Sequence, residues 1–306
     1  YERIMSKEKN YLFHILAICL AAALWGADGI LLTPHLYQLK PGFVVFAIHF
    51  LPFMLMNLFL FREYKQLAHF KRNDYLLFGL LALTGGSLGT LAIVKALFLV
   101  HFQKLTVVVL LQKLQPVFAI CLSVIFLKEQ INKRFVLWSV IAVLSAYIMS
   151  FGFKLPKADF SDTAMLAYFY AILAALFFGT GTVISRHIAT KFSFQTATFY
   201  RYGFTAFFML FWVIFTGDIS NYGQTNLTHW LVMLIISLTT GSGAIFLYYY
   251  GLKKVKASIS TICELCFPLT AVVLDLVLHG NQLSLAQWIA VIVLVVSILM
   301  ISREYR

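Results

Sequence analysis

Leu105 to Glu129 reads LTVVVLLQKLQPVFAICLSVIFLKE, and 152 positions later Ala257 to Asn281 reads ASISTICELCFPLTAVVLDLVLHGN, with Pro268 falling on Pro116. Each stretch is an apolar run long enough to cross the roughly 30 Å hydrocarbon core of a bilayer. Each has a proline near its middle and an ionisable residue just before it, Lys113 in the first and Glu264 in the second. A charge at that depth costs between about 2.5 and 17 kcal/mol, so it persists where protein or trapped water solvates it. Two such charges on duplicated helices point to a shared central cavity.

The whole chain has the same character. Of its 306 residues, 61% are hydrophobic and 12% charged, and the mean hydropathy is +0.87. Soluble domains carry about 25% charged residues, so a soluble globular protein is excluded. Ten apolar segments, at 11–33, 43–61, 75–94, 105–127, 135–152, 164–185, 194–216, 228–250, 257–278 and 285–301, predict an all-α integral membrane protein of ten transmembrane helices. The net charge of +12 would suggest nucleic acid in a soluble chain; here its distribution decides the reading. Of 24 Lys and Arg, 17 fall in the N-terminus, the even-numbered loops and the C-terminus, and five in the odd-numbered loops; Lys113 and Arg201 remain inside spans. That bias predicts a multi-pass protein of the cell (inner) membrane with both termini cytoplasmic.

The 152-residue offset extends further, setting Arg201 on His49 and Gly241 on Gly89, while Phe178-Gly179 meets Trp25-Gly26 with a shift of one. Residues 1–152 and 164–306 are therefore read as two five-helix repeats joined by a linker at 153–163. Five is odd, so the second repeat enters the membrane from the opposite side, an inverted arrangement common in carriers that bind substrate near the midplane. The linker carries Pro156 and ends in Ser161-Asp162, a helix-start signal. Small-residue clusters at Gly85–Gly89, Gly179–Gly181 and Gly241–Gly243 allow tight helix packing or a thin backbone beside a moving gate. Pro52, Pro116 and Pro268 each remove a helix hydrogen bond and suit gating kinks.

Five ionisable residues deep in the spans form two layers by position, Asp28, His49 and Lys113 in one, Arg201 and Glu264 in the other. Two readings stand. Asp28 with Lys113 and Arg201 with Glu264 form internal ion pairs, or Lys113 holds a substrate carboxylate and Glu264 a substrate ammonium, at an axial separation of roughly 10 Å. Trp25, Gln112 and Tyr249 join Asp28, His49, Lys113, Arg201 and Glu264 as candidate substrate-binding residues. Asp28, His49 and Glu264 are also candidate carriers of a coupling proton. Aromatic clusters at Tyr168–Tyr170, Phe199–Tyr202 and Tyr248–Tyr250 line a pocket or form interfacial belts. Cys19, Cys121, Cys263 and Cys266 all lie within spans and are read as packing residues, with no metal site and no disulfide framework. The first apolar run is of full span length without a small-residue cleavage pattern, so no cleavable leader is expected.

These features resemble the drug/metabolite transporter superfamily, in its EamA-type ten-helix family. The resemblance is carried by Trp25-Gly26, Arg201, Pro116-Val117-Phe118-Ala119 with Leu127-Lys128-Glu129, and, in the second copy, Gly251-Leu252, Ala257 and Pro268-Leu269-Thr270-Ala271. His49 stands where the family has arginine, and Asn281 where it has an acidic residue. The resemblance implies a basket of ten helices, a central cavity lined by the first, third, fourth, sixth, eighth and ninth, and alternating access.

The expected function is secondary transport of a small polar metabolite, an amino acid or similar zwitterion first, exported rather than imported. The alternative is a carrier of organic anions or nucleotides held by Lys113 and Arg201. A channel, or an intramembrane enzyme using His14, His49, Asp28 or His101, is the reading from another class, but these histidines lack metal-ligand spacing. No cofactor and no nucleic acid is expected; the partners are the small-molecule substrate, the lipid bilayer and a coupling proton, with the chain a monomer or homodimer.

Overall fold

A helix is the structure that lets a single segment satisfy all its backbone hydrogen bonds in a solvent that offers none. The computed structural model describes residues 2–101, 105–154, 161–280 and 282–304. Among these every regular element is helical, and ten helices are long and apolar enough to span a bilayer. They are α1 Tyr11–Leu31, α2 Pro41–His69, α3 Arg72–Leu99, α4 Val107–Leu127, α5 Lys133–Phe151, α6 Asp162–Lys191, α7 Phe194–Phe215, α8 Leu227–Leu252, α9 Ala257–Leu278 and α10 Leu285–Arg303. The expected spans are all present. Several helices outrun them, as α6 does by continuing past residue 185 to Lys191, because a helix stops at a cap signal and not where hydropathy falls. Pro156, Lys157, Lys104, Asn281 and Arg306 lie outside the described residues.

Local chemistry sets the boundaries. The side chains of Asn132, Ser161, Ser193 and Asn226 accept from the first-turn N–H groups of α5, α6, α7 and α8, and Ser284 does so for α10. Gly152, Gly217 and Gly280 take positive φ just past helix ends, where a side chain is disfavoured. Large apolar side chains point outward, among them Phe215, Leu58 and Phe126 at 84%, 77% and 71% exposure, the pattern of a lipid-facing surface.

The two repeats are not side by side. Helix α1 packs against α8 and α9 of the second repeat, and its counterpart α6 packs against α3 and α4 of the first; α2 pairs with α7, and α5 with α10. Each repeat thus sends its opening helix into the other. The seams are thin: a Cβ on Gly181 would lie 2.9 Å from the Gly85 Cα, and one on Gly179 would lie 3.0 Å from the Ala119 backbone nitrogen. At the α1–α9 seam Gly26 abuts the Phe267 carbonyl, and Cys19 comes alongside Cys263 and Cys266, all three free thiols.

Inverted duplication also shows in the helix defects. Helix α4 breaks at Lys113-Leu114 and α9 at Glu264-Leu265, each resuming with its proline in the first turn of the second half. Short-range bonds tighten the breaks: Leu114 N donates to Leu111 O at 3.1 Å, and Phe267 N to Glu264 O at 3.0 Å. Helices α3 and α8 each carry a π-helical turn at their glycine clusters, Ala82–Leu88 and Ser237–Gly241. Pro52 lies inside α2, which continues on both sides of it.

The Gly85–Gly181 contact is tested by Gly181→Val. The added branches meet backbone, so the unfolding midpoint of the detergent-purified protein falls by the equivalent of about 1–3 kcal/mol. Gly29→Ala, at a helical position with nothing within 4 Å, does not lower it.

Candidate functional site

The break in α9 turns the Glu264 side chain into the bundle, where both of its carboxylate oxygens are hydrogen-bonded. Oε2 accepts from Gln115 Nε2 at 2.6 Å, and Oε1 accepts from Ser260 Oγ at 3.2 Å and faces the Tyr248 hydroxyl at 2.9 Å. Gln115 sits at the matching break in α4, immediately before Pro116. The two interrupted helices therefore meet through one carboxamide–carboxylate bond between the repeats. Tyr248 also lies 3.1 Å from Thr182 Oγ1 on α6, and its ring packs 5.3 Å from Trp25 of α1. Four helices beyond α9 thus converge on Glu264: α1, α4, α6 and α8.

One turn away along α6 a second cluster forms. Ser185 lies 3.1 Å from the Tyr249 hydroxyl and accepts from Arg201 Nη1 at 3.5 Å, while Arg201 Nη2 donates to the Gly85 carbonyl at 3.2 Å. Gly85 belongs to the π-helical turn of α3, where the backbone carbonyl register is shifted and an oxygen becomes available to a side chain. His49 donates from Nδ1 to the Val45 carbonyl of its own helix, 2.8 Å away, and packs 5.4 Å from the Tyr202 ring.

The structure corrects both expected ion pairs. Lys113 does not meet Asp28: its ammonium donates to the Ala146 carbonyl at 3.3 Å and to Ser150 Oγ, over the Phe151 ring, all on α5. Arg201 does not pair with Glu264: it is spent on Gly85 and Ser185, and Glu264 on neutral donors. The π-turn of α3 offers Arg201 a backbone oxygen, and the last turns of α5 offer Lys113 a carbonyl and a hydroxyl, so each cation is solvated by neutral partners inside the protein. Of the sequence-predicted residues, Trp25, Glu264, Tyr249 and Arg201 come together around α6 and α8. His49 lies beside Tyr202, and Gln112 is half-buried at the end of the first half of α4. Lys113 lies apart on the α5 side. Asp28 has the Thr33 hydroxyl beside it, but its Oδ1 is buried without a hydrogen-bond partner among the described residues.

Gln115, Tyr248, Thr182, Ser185 and Ser260 escaped the expected list. The i, i+4 spacing of Ser260 and Glu264, and the adjacency of Gln115 to Pro116, were the available signals. Among the aromatic clusters, Tyr168–Tyr170 lies elsewhere, with Tyr170 under the Lys95 ammonium at 5.2 Å. Phe199 and Tyr200 join a ring cluster with Tyr64, Phe70 and Phe78.

The chain matches the model of the EamA-like transporter family over residues 12–151 and 165–303. It is 46% identical, over 295 residues covering 96% of this chain and 99% of the relative, to the riboflavin transporter ImpX of Fusobacterium nucleatum subsp. nucleatum. A solved crystal structure of a protein superposes on it with a TM-score of 0.69 at 17% identity, covering 97% of each chain, which is a likeness of fold.

Arg201→Ala removes the guanidinium donor from the buried Gly85 carbonyl and one of two partners from the Ser185 hydroxyl, which keeps Tyr249, and is expected to cost about 1–3 kcal/mol. The unfolding midpoint falls accordingly, and Arg201→Lys, a point charge in place of a fork, recovers only part of the loss.

Proposed function

Because this chain belongs to the EamA-like transporter family, we propose that it carries a neutral planar metabolite of the flavin class, riboflavin first, by alternating access past the α4 and α9 breaks. The observation that carries the cargo reading is the site's make-up: an aromatic wall of Trp25 and Tyr248 beside a carboxylate, Glu264, whose hydrogen-bonding neighbours are neutral. An isoalloxazine ring system is flat, uncharged at neutral pH, and edged by an imide N–H between two carbonyls. Aromatic rings stack on its faces, and the Gln115 carboxamide and Glu264 carboxylate offer the donor and acceptor that its edge requires. The unpartnered Asp28 Oδ1 adds an acceptor suited to a ribityl hydroxyl. The name of the 46% identical relative points the same way.

An amino acid, the cargo expected from Lys113 and Glu264 acting together, fits this arrangement less well. Lys113 would have to leave Ala146 and Ser150 to reach a substrate carboxylate. Placement in the inner membrane with both termini in the cytoplasm rests on the bias of 17 basic residues against five. The end of the bundle that gathers those residues is its basic end.

Flavin fluorescence gives a direct assay, since stacking on Trp or Tyr quenches it. Purified protein quenches riboflavin saturably, and riboflavin at 100 times its Kd raises stability by about 2.7 kcal/mol. Trp25→Ala and Gln115→Ala each weaken binding about tenfold or more. A thermal shift with free amino acids and none with riboflavin would reverse the assignment.

Glu264 is also the proposed site of a coupling proton, being a carboxylate shared by neutral donors at the junction of both repeats. In liposomes Glu264→Gln is expected to abolish pH-gradient-driven accumulation of flavin while leaving counterflow exchange. Accumulation by the wild type that ignores the gradient rules out coupling.

A further inference from the structure

We propose that Glu129 is a gate residue, a latch from the first repeat that holds the basic end of the pathway shut by capping α9 of the second. The chain leaves α4 at Leu127 and turns sharply at Lys128, a non-glycine residue with φ of +53°. Glu129 N then donates back to the Ser123 carbonyl at 3.2 Å, and the side chain is directed across the bundle. Its Oε1 accepts from Ala257 N at 2.8 Å, and its Oε2 accepts from Ser258 N at 3.0 Å and from Ser258 Oγ at 2.5 Å.

The first N–H groups of a helix have no partner within it and carry the positive end of the helix dipole, so a carboxylate is the strongest cap available to them. Helices α5 to α8 take that cap from their own chain at the preceding residue, whereas the residue before α9, Lys256, supplies no side-chain acceptor. The cap of α9 comes instead from the opposite repeat. A helix held this way keeps its protein cap only while the α4 and α9 ends touch. All three bonds break together when the ends part, which makes the contact two-state.

The surroundings suit a gate. Arg186 of α6 donates to the Leu252 carbonyl at the end of α8 and lies within the electrostatic reach of Glu129. A cavity of about 410 Å³ lined by Lys128, Glu129, Arg186, His187 and Lys256 opens beside the latch. Water there can take over the freed carboxylate and N–H groups when the contact opens. Helix α9 is also the helix that carries Glu264, so its basic end and the cargo site move on one element. The latch concerns the transport cycle and is independent of which cargo is carried.

The test measures a distance rather than transport, so that an error about the cargo does not affect it. Nitroxide labels at Gln130 and Lys254, both exposed, are introduced in an otherwise cysteine-free chain, and their separation is read by pulsed electron resonance in nanodiscs. The wild type gives chiefly the short distance. Glu129→Ala raises the ratio of long to short by about tenfold or more, the weight of losing charge-assisted hydrogen bonds. Glu129→Gln, keeping one acceptor, and Ser258→Ala, losing only the hydroxyl bond, shift it less and in that order. If Glu129→Ala does not fold, that ordering alone decides the matter. A single short distance in all folded variants, with a lowered unfolding midpoint, makes Glu129 an ordinary cap and overturns the proposal.

Discussion

Lipid offers no hydrogen bonds, and the rest of the structure follows from that. A backbone that leaves the α-helical ladder within the membrane must find its partners inside the protein. Departures from the ladder therefore mark the interior. Those that recur in both repeats form two symmetric pairs, the breaks of α4 and α9 and the π-helical turns of α3 and α8. Each pair is the same local event written twice by the duplicated sequence and presented from opposite sides. The Gln115–Glu264 bond joins the two breaks, and Arg201 is held at one of the π-turns.

The same constraint explains why the repeats interlock. Without a hydrophobic force between helices in lipid, close backbone approach and interhelical hydrogen bonds hold the bundle together. The small residues at Gly26, Gly85, Gly179 and Gly181 are where α1 and α6 each enter the other repeat. Because α6 packs on both α3 and α4, and α1 on both α8 and α9, a tilt of either pair relative to its partner helix changes both clusters together. Thr182 and Ser185, one turn apart on α6, connect them: the first to Tyr248 and Glu264, the second to Tyr249 and Arg201.

Buried charges in this protein are handled one at a time. Arg201 is satisfied by a carbonyl and a hydroxyl, Lys113 by a carbonyl, a hydroxyl and a ring, and Glu264 by an amide and hydroxyls. Neutral partners keep each charge solvated without fixing it to an opposite charge. Nearer the ends of the bundle the chain does pair charges, in Lys191 with Asp74 and Lys40 with Asp218. In both pairs the lysine reaches water, while Asp74 itself is buried and Asp218 is partly exposed.

The sequence by itself determined the membrane class, the ten spans and the inverted duplication, because hydropathy and span length are local properties that lipid enforces strictly. It marked three prolines as kink sites, and the helix breaks fall just before two of them, Pro116 and Pro268, while α2 continues through Pro52. It also marked Glu264, Trp25, Arg201 and Tyr249 as unusual, since a polar or aromatic side chain at that depth must have a reason. Which partner each charge takes was decided only by the tertiary structure. Depth along a helix is legible in one dimension, but direction around it is not: Lys113 turns toward α5 while Glu264, at the matching break, turns toward α4, α6 and α8. The reach of Glu129 to the start of α9 was likewise invisible, because it depends on a fold that brings together residues 128 positions apart.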